Sequence, residues 1–317
     1  MYELVPDRNH RVFVFNMSTT VSAESVNDTK VKKDMKNKTK ENEVVTVSRD
    51  TVKRIVQDIK EVMKDSSLSQ NGIYYEHDMD NFMHGDAMLI GPKDTPYEHG
   101  LFFFHFQFPS DYPFSPPTVK FHNHTKSKRV RMNPNLYENG RVCLSLLNTW
   151  AGEPWSACQS IRSVLLSLVT VLNEKPLLNE PGIKECHRDF NNYQRLVRFF
   201  SLKDYLVGSY MRWCSGNSYE QEKLFDGPMR AHFGRMRDAD LLEQLLTKYL
   251  EAEHSTNFKS SKFERKSTTY GTSKDSNVDV LVVGMYGMRA AIQWASVLST
   301  YVELCKTHEK PSLVSRT

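Results

Sequence analysis

Apolar residues at Val52, Ile55, Val56, Ile59, Val62 and Met63 recur every three or four positions, which predicts one face of an amphipathic helix. Ser48, just before this run, has the side chain of a helix N-cap. Lys53, Arg54, Lys60 and Lys64 occupy the other faces. The pattern then shortens to period two. Residues 73–78, 81–91, 101–108 and 119–122 read as four strands at hairpin spacing, which predicts an antiparallel meander. In the third, LFFFHFQF, Phe102, Phe104, Phe106 and Phe108 share one face while Leu101, Phe103 and His105 share the other. Both faces are apolar, so this strand is expected in the middle of the sheet with a helix on one side. The four prolines in residues 109–118 exclude regular structure there and predict a stiff, exposed loop. Helical spacing returns with Ile161, Val164, Leu165, Leu168, Val171 and Leu172, and stops at Pro176 and Pro181-Gly182. Further helices are predicted near 186–206, 237–253 and 285–306, with a polar Ser/Thr/Lys-rich linker at 254–276.

These elements imply an α+β fold, a four-stranded antiparallel meander with flanking helices, followed by a mostly helical C-terminal extension. Three segments are expected: a polar, disordered arm at 1–47, a core at 48–205 and the extension at 206–317. The arm carries lysines at 30, 32, 33, 36, 38 and 40 and few large apolar residues after Met17. It cannot bury enough surface to offset the entropy of ordering, and its basic run is read as a solvated tail, or as an import or docking segment. The 317 residues, 39% hydrophobic, suffice for a sizeable core. A net charge of +4 is too small for a nucleic-acid-binding face. No apolar run is long enough to cross a bilayer, and the first residues make a poor signal peptide. The five cysteines, at 143, 158, 186, 214 and 305, are odd in number and lack zinc-ligand spacing, which points to a reducing compartment, cytosol or nucleus. Four of them are read as packing residues.

The chemistry is concentrated in residues 133–155, NPNLYENGRVCLSLLNTWAGEPW. Asn139-Gly140 signals a tight turn and sets Cys143 just beyond it. Asn135, eight residues earlier, can fold back across that turn, where its amide could donate to an oxyanion or simply stabilise the turn.

The order DYPFSPP (111–117), NPN (133–135), NGRVCLSLL (139–147), Trp155, SIRSVLLSL (160–168) and NEPG (179–182) is similar to the catalytic core of ubiquitin-conjugating enzymes, in their long, C-terminally extended form. The stretch GPKDTPYEHG (91–100) resembles their hairpin between early strands. The resemblance implies that Cys143 is the nucleophile that carries ubiquitin or a ubiquitin-like modifier as a thioester, with Asn135 as the oxyanion residue. Glu180, or Asn179, falls where the family often has an acidic residue beside the incoming lysine. Glu180 is also readable as a solvated loop carboxylate. Phe114 and the 156–158 loop, with Ser156 and Ala157, fall where ligases and the activating enzyme dock, and Lys53 on the first helix shares that surface. The implied partners are the modifier, an activating enzyme, ligases and protein substrates, with no nucleic acid and no membrane. No metal or organic cofactor is implied, since ATP is consumed by the activating enzyme.

Three departures stand out. Asn133 replaces the usual His of His-Pro-Asn, for which a rebuilt hydrogen bond is expected. Trp155-Ser156-Ala157-Cys158 lacks the proline of the usual Trp-Ser-Pro-Ala loop. Residues 150–154 are inserted near the cysteine and are expected to reshape the rim of the site. Two competing readings remain: a non-catalytic binding module of the same fold, and a thiol hydrolase with a Cys/His pair. The hydrolase would need an oriented histidine beside Cys143. His77, His84, His105, His122 and His124 are instead read as structural, because no partner spacing accompanies them.

Overall fold

A computed structural model of the chain describes residues 2–6, 12–16, 47–125, 130–238, 240–260 and 279–307. Two strands, β1 (Tyr2–Pro6) and β2 (Val12–Asn16), pair antiparallel at the start of the arm. The expectation of an arm without regular structure therefore fails there: the short runs YELVP and VFVFN form paired strands. The lysine run of the arm lies outside the described residues.

Helix α1 (Arg49–Lys64) starts where its cap predicts, with the Ser48 hydroxyl accepting from the Thr51 amide at 3.0 Å. It buries Ile55, Val56, Ile59 and Val62. A short α2 (Ser66–Gln70) leads into β3 (Ile73–His77), β4 (His84–Ile90), β5 (Leu101–Gln107) and β6 (Thr118–Phe121). These form one antiparallel sheet in sequence order. Helix α3 (Ile161–Val171) follows the cysteine region and contacts α1.

From residue 190 to 214 the chain is continuously helical. Helix α4 (Phe190–Phe200) passes through a π-helical stretch, Ser201–Val207, into α5 (Gly208–Cys214). The boundary expected at 205 falls inside this run. Beyond it lie α6 (Glu220–Leu224), α7 (Asp226–Asp238) and α8 (Leu241–Ser260). The predicted helix over 285–306 is only partly helical: β7 (Asp279–Val283) and β8 (Met288–Ile292) make a hairpin, and α9 (Trp294–Thr307) follows. The runs DVLVV and MRAAI flank Gly284 and Gly287, the latter at φ +61°, so turn chemistry overrides helical spacing here. The polar stretch 254–276 is helical as far as Ser260, and the rest of it lies outside the described residues.

Strand β5 explains why the extension packs where it does. Phe102, Phe103, Phe104 and Phe106 are all fully buried. On one face, Tyr205 of the π stretch stacks on Phe102 and on Phe121 of β6. On the other, Phe225 and His124 lie against Phe103. The far face is thus covered by the extension rather than left to water.

Several buried histidines are bonded as neutral rings. His77 accepts from the Tyr75 hydroxyl at 2.8 Å and donates to the Phe82 carbonyl at 2.8 Å. His232 of α7 sits 3.1 Å from the His99 carbonyl, with the His99 ring beside it. Burial lowers His77 and His232 from 6.5 to about 4, and lowers His124 to about 3. The unfolded chain therefore takes up protons that these rings refuse. The stability they contribute is full above about pH 6.5 and is lost as pH falls toward about 4. Thermal unfolding should show the midpoint falling steadily over that window, with each such histidine worth about 2 kcal/mol at pH 5. His232→Gln should flatten the slope, and an unchanged slope would remove this histidine from the acid sensitivity.

Candidate active site

The site is built on a loop pinned to the sheet edge. Gly140 is in the left-handed region at φ +87°, and a Cβ there would come within 2.8 Å of the Phe121 carbonyl oxygen. Only glycine allows this approach, and it lets the Phe121 amide donate to the Gly140 carbonyl at 2.7 Å. The turn predicted at Asn139-Gly140 folds the chain so that Leu136 bridges Val142. This brings Asn135 to Cys143. The Cys143 amide donates to the Asn135 carbonyl at 2.8 Å, and the Asn135 Nδ2 donates to the Cys143 carbonyl at 2.7 Å. The Asn135 amide thus stabilises the loop through one N–H. Its Nδ2 carries a second proton, which leaves a donor for a developing oxyanion.

Asn133 is the buried hub behind this pair. Its Nδ2 donates to the Tyr97 hydroxyl and the Val171 carbonyl, both at 2.7 Å. Its Oδ1 accepts from the Asn135 amide at 2.8 Å and from Asn179 Nδ2 at 3.3 Å. Tyr97 passes its own proton to the Met132 carbonyl at 2.8 Å. The rebuilt hydrogen bond expected at this position is present, as a four-partner network. Asn179 also donates to the Val171 carbonyl and accepts from Asn173, so its side chain is fully engaged in the scaffold. That leaves Glu180, half-buried, as the carboxylate of this segment, and its Oε2 accepts from the Tyr286 hydroxyl at 2.7 Å. Burial and that carboxylate hold the Tyr286 phenol well above its ordinary range, so it stays a donor.

Cys143 itself is only 1% exposed. Thr149 braces its flanks: the hydroxyl accepts from the Leu144 amide at 2.9 Å and lies 2.9 Å from the Val142 carbonyl. A 3₁₀ turn, Ser145–Leu147, follows. The inserted residues 150–154 are largely exposed and close back on it: a Cβ at Gly152 would meet Ser145 Cβ at 2.9 Å. The insertion therefore borders the turn that follows the cysteine.

The predicted docking residues form a second group. Phe114 is 80% exposed, Lys53 and Ser156 are exposed and Ala157 is half-buried. Arg54, on the same helix as Lys53, donates to the Ala157 carbonyl at 2.6 Å and to the Gln159 carbonyl, and pairs with buried Asp58 at 2.8 Å. This guanidinium clamps the loop that lacks the usual proline. Trp155 joins the two groups: its indole donates to the Pro113 carbonyl at 2.7 Å and its amide to Asn148, at the end of the 3₁₀ turn, at 2.9 Å. Sequence reasoning missed Thr149, Tyr97 and Tyr286. Thr149 lay inside the quoted motif and could have been found; the other two depend on tertiary contacts.

Among the described residues no histidine is hydrogen-bonded to the thiol, and no group of side chains could hold a metal ion. His84 and His105 form a chain with Asp86 on the sheet. The histidine-assisted hydrolase has no support here. No helix among the described residues is long and apolar enough to cross a membrane.

Residues 54–200 match the family model for ubiquitin-conjugating enzyme. Over this segment the chain is similar to ubiquitin-conjugating enzymes. The chain is 42% identical over 158 residues to ubiquitin-conjugating enzyme E2 Z of Xenopus tropicalis, covering 49% of each chain. It is 41% identical over 152 residues to ubiquitin-conjugating enzyme E2 Z of Homo sapiens, covering 47% of this chain and 42% of that one. Over 101 residues it is 54% identical to probable ubiquitin-conjugating enzyme E2 24 of Arabidopsis thaliana, covering 30% of this chain and 11% of that protein. The chain thus spans about half the length of the E2 Z proteins it matches. The match ends within the continuous helical run 190–214, so the matched segment and the extension share an element.

Two outcomes test this geometry. A thiol reagent such as DTNB, added to the native protein, should modify exposed Cys158 and Cys186 before buried Cys143; equal rates at Cys143 would show that the site is open in solution. Asn133→Ala strands the Asn135 amide and takes one of two donors from the Val171 carbonyl, and should lower stability by about 2–3 kcal/mol in denaturant unfolding.

Proposed function

We propose that the chain is a ubiquitin-conjugating enzyme that accepts ubiquitin, or a ubiquitin-like modifier, from an activating enzyme onto Cys143. It then passes the modifier to a substrate lysine or a ligase cysteine. The observation that carries the reading is Asn135 folded onto Cys143, with a second amide proton not used by its bond to the Cys143 carbonyl. Thioester exchange is nearly isoenergetic, so the site needs a nucleophile and positioning rather than a triad.

In loading, the Cys143 sulfur attacks the carbonyl of the activating-enzyme thioester. The new C–S bond forms as the old one breaks, and the departing thiolate takes up the proton. In transfer to lysine, the ammonium first loses a proton, for which Glu180 is the nearest candidate acceptor in sequence to the asparagine network. The amine attacks, the C–N bond forms, the C–S bond breaks, and the second amine proton passes to the Cys143 sulfur. Asn135 stabilises the intermediate oxyanion. Because the thiol is buried, loading requires the rim formed by the 3₁₀ turn and the 150–154 insertion to give way. Phe114, Ser156, Ala157 and Lys53 form the docking surface for the activating enzyme and ligases, held in shape by Arg54. The exposed, unpaired Cys158 and Cys186 support a reducing compartment, cytosol or nucleus.

Incubation with an activating-enzyme panel, ATP and ubiquitin should give a band on a non-reducing gel that is larger by one modifier, vanishes with reductant and is absent in Cys143→Ala. Asn135→Ala should still load but transfer to lysine about 10²-fold more slowly. No band with any activating enzyme or modifier would leave a binding module instead.

A further inference from the structure

The tip of the β7–β8 hairpin reaches the active-site segment from a part of the chain more than a hundred residues away. It is held there by the Met285 amide, which donates to Asp189 Oδ2 at 2.9 Å, and by Asn192 Nδ2, which donates to the Val282 carbonyl at 3.1 Å. Tyr286 then touches both walls of the site. Its hydroxyl donates to Glu180 Oε2 at 2.7 Å. Its ring lies under the Arg131 guanidinium, 4.6 Å from the ring centre, and beside Tyr193. The same guanidinium lies 3.8 Å over Tyr137 and donates to the Pro134 carbonyl at 2.6 Å. Pro134 and Tyr137 flank the residue that carries the oxyanion amide. Tyr193 closes the ring of contacts by donating to the Arg131 carbonyl at 2.9 Å.

A glutamate has three rotatable bonds, and an unpartnered carboxylate at a rim samples many orientations. A phenol that engages Oε2 removes most of them. The other oxygen, Oε1, is bonded to no described residue and remains free to meet an amine. We propose that Tyr286 is a positioning residue for transfer to lysine: it orients the Glu180 carboxylate and, through Arg131, steadies the 134–137 turn. The C-terminal extension thus supplies part of the acceptor side of the site. This rests on the conjugating-enzyme reading given above and on Glu180 acting on the incoming amine.

The test is single-turnover discharge. Full-length protein is charged with ubiquitin, the activating enzyme is quenched, and the thioester is chased with free lysine or with hydroxylamine. Hydroxylamine is uncharged at neutral pH and needs no carboxylate to receive a proton. Tyr286→Phe keeps the ring, and so the Arg131 and Tyr193 contacts. It should charge as the unmodified protein does, discharge to lysine about tenfold more slowly and discharge to hydroxylamine at an unchanged rate. In a Glu180→Gln background, Tyr286→Phe should add no further loss, as required of two residues acting as one unit. Equal discharge by Tyr286→Phe and the unmodified protein would overturn the proposal. So would equal slowing with both nucleophiles, which is the mark of a merely structural contact. An unmodified protein that charges but never discharges to lysine would also overturn it, while leaving thioester formation intact. Failure of the unmodified protein to charge at all would sink the conjugating-enzyme reading itself.

Discussion

A strand that is apolar on both faces can exist only with cover on both sides, and β5 imposes that requirement on everything around it. Phe102, Phe104 and Phe106 point to one side of the sheet, and Leu101 and Phe103 to the other, all fully buried. An antiparallel sheet commonly leaves one face to water. Here Tyr205 covers one face, and Phe225 with His124 covers the other. Tyr205 and Phe225 come from after residue 200, so the extension is part of the core that holds the sheet. One hydrophobic cluster runs from Ile55 in α1 to Tyr301 in α9.

The reactive loop sits on the far edge of that construction and depends on a buried amide. Asn133 is fully buried, and its carboxamide satisfies a phenol, a helix carbonyl, a backbone amide and a second asparagine. A side chain with this many partners in a low-dielectric interior has little freedom. It therefore fixes Asn135, and through Asn135 the backbone of Cys143. The exposed Phe114 loop is coupled to the same loop through Trp155, which bonds both Pro113 and Asn148. The Phe114 loop and the cysteine thus share one stiff connection. The extension grips the other side of the loop through Arg131 and Tyr286.

The parts of this molecule that were legible in the sequence are those governed by local rules. Ser48 and the apolar spacing of α1, the four strands, the Asn139-Gly140 turn and helix α3 all appear where propensity and periodicity place them. The pairing of Cys143 with Asn135 was legible because a tight turn of known geometry joins them. The region 285–292 was misread because its apolar residues satisfy helical spacing as well as strand alternation. Only the glycines at 284 and 287, which favour a turn, decide between the two. Likewise the hairpin at the start of the arm was hidden by averaging over a long polar segment.

The sequence by itself determined the make-up of the candidate site: one cysteine beyond a turn, an amide donor across from it, and a proline-stiffened loop bearing an aromatic. These are properties of residue type and near-neighbour geometry, and they follow from covalent and turn constraints that act within a dozen positions. The tertiary structure alone decided that the thiol is buried and that Asn133 is a four-way hub. It alone decided that the second face of the sheet is closed by α6 and α7, and that a tyrosine at 286 bonds a glutamate at 180. Those outcomes depend on which distant surfaces meet. That choice is made by burial of apolar area and satisfaction of buried polar groups, neither of which is written at any single position of the chain.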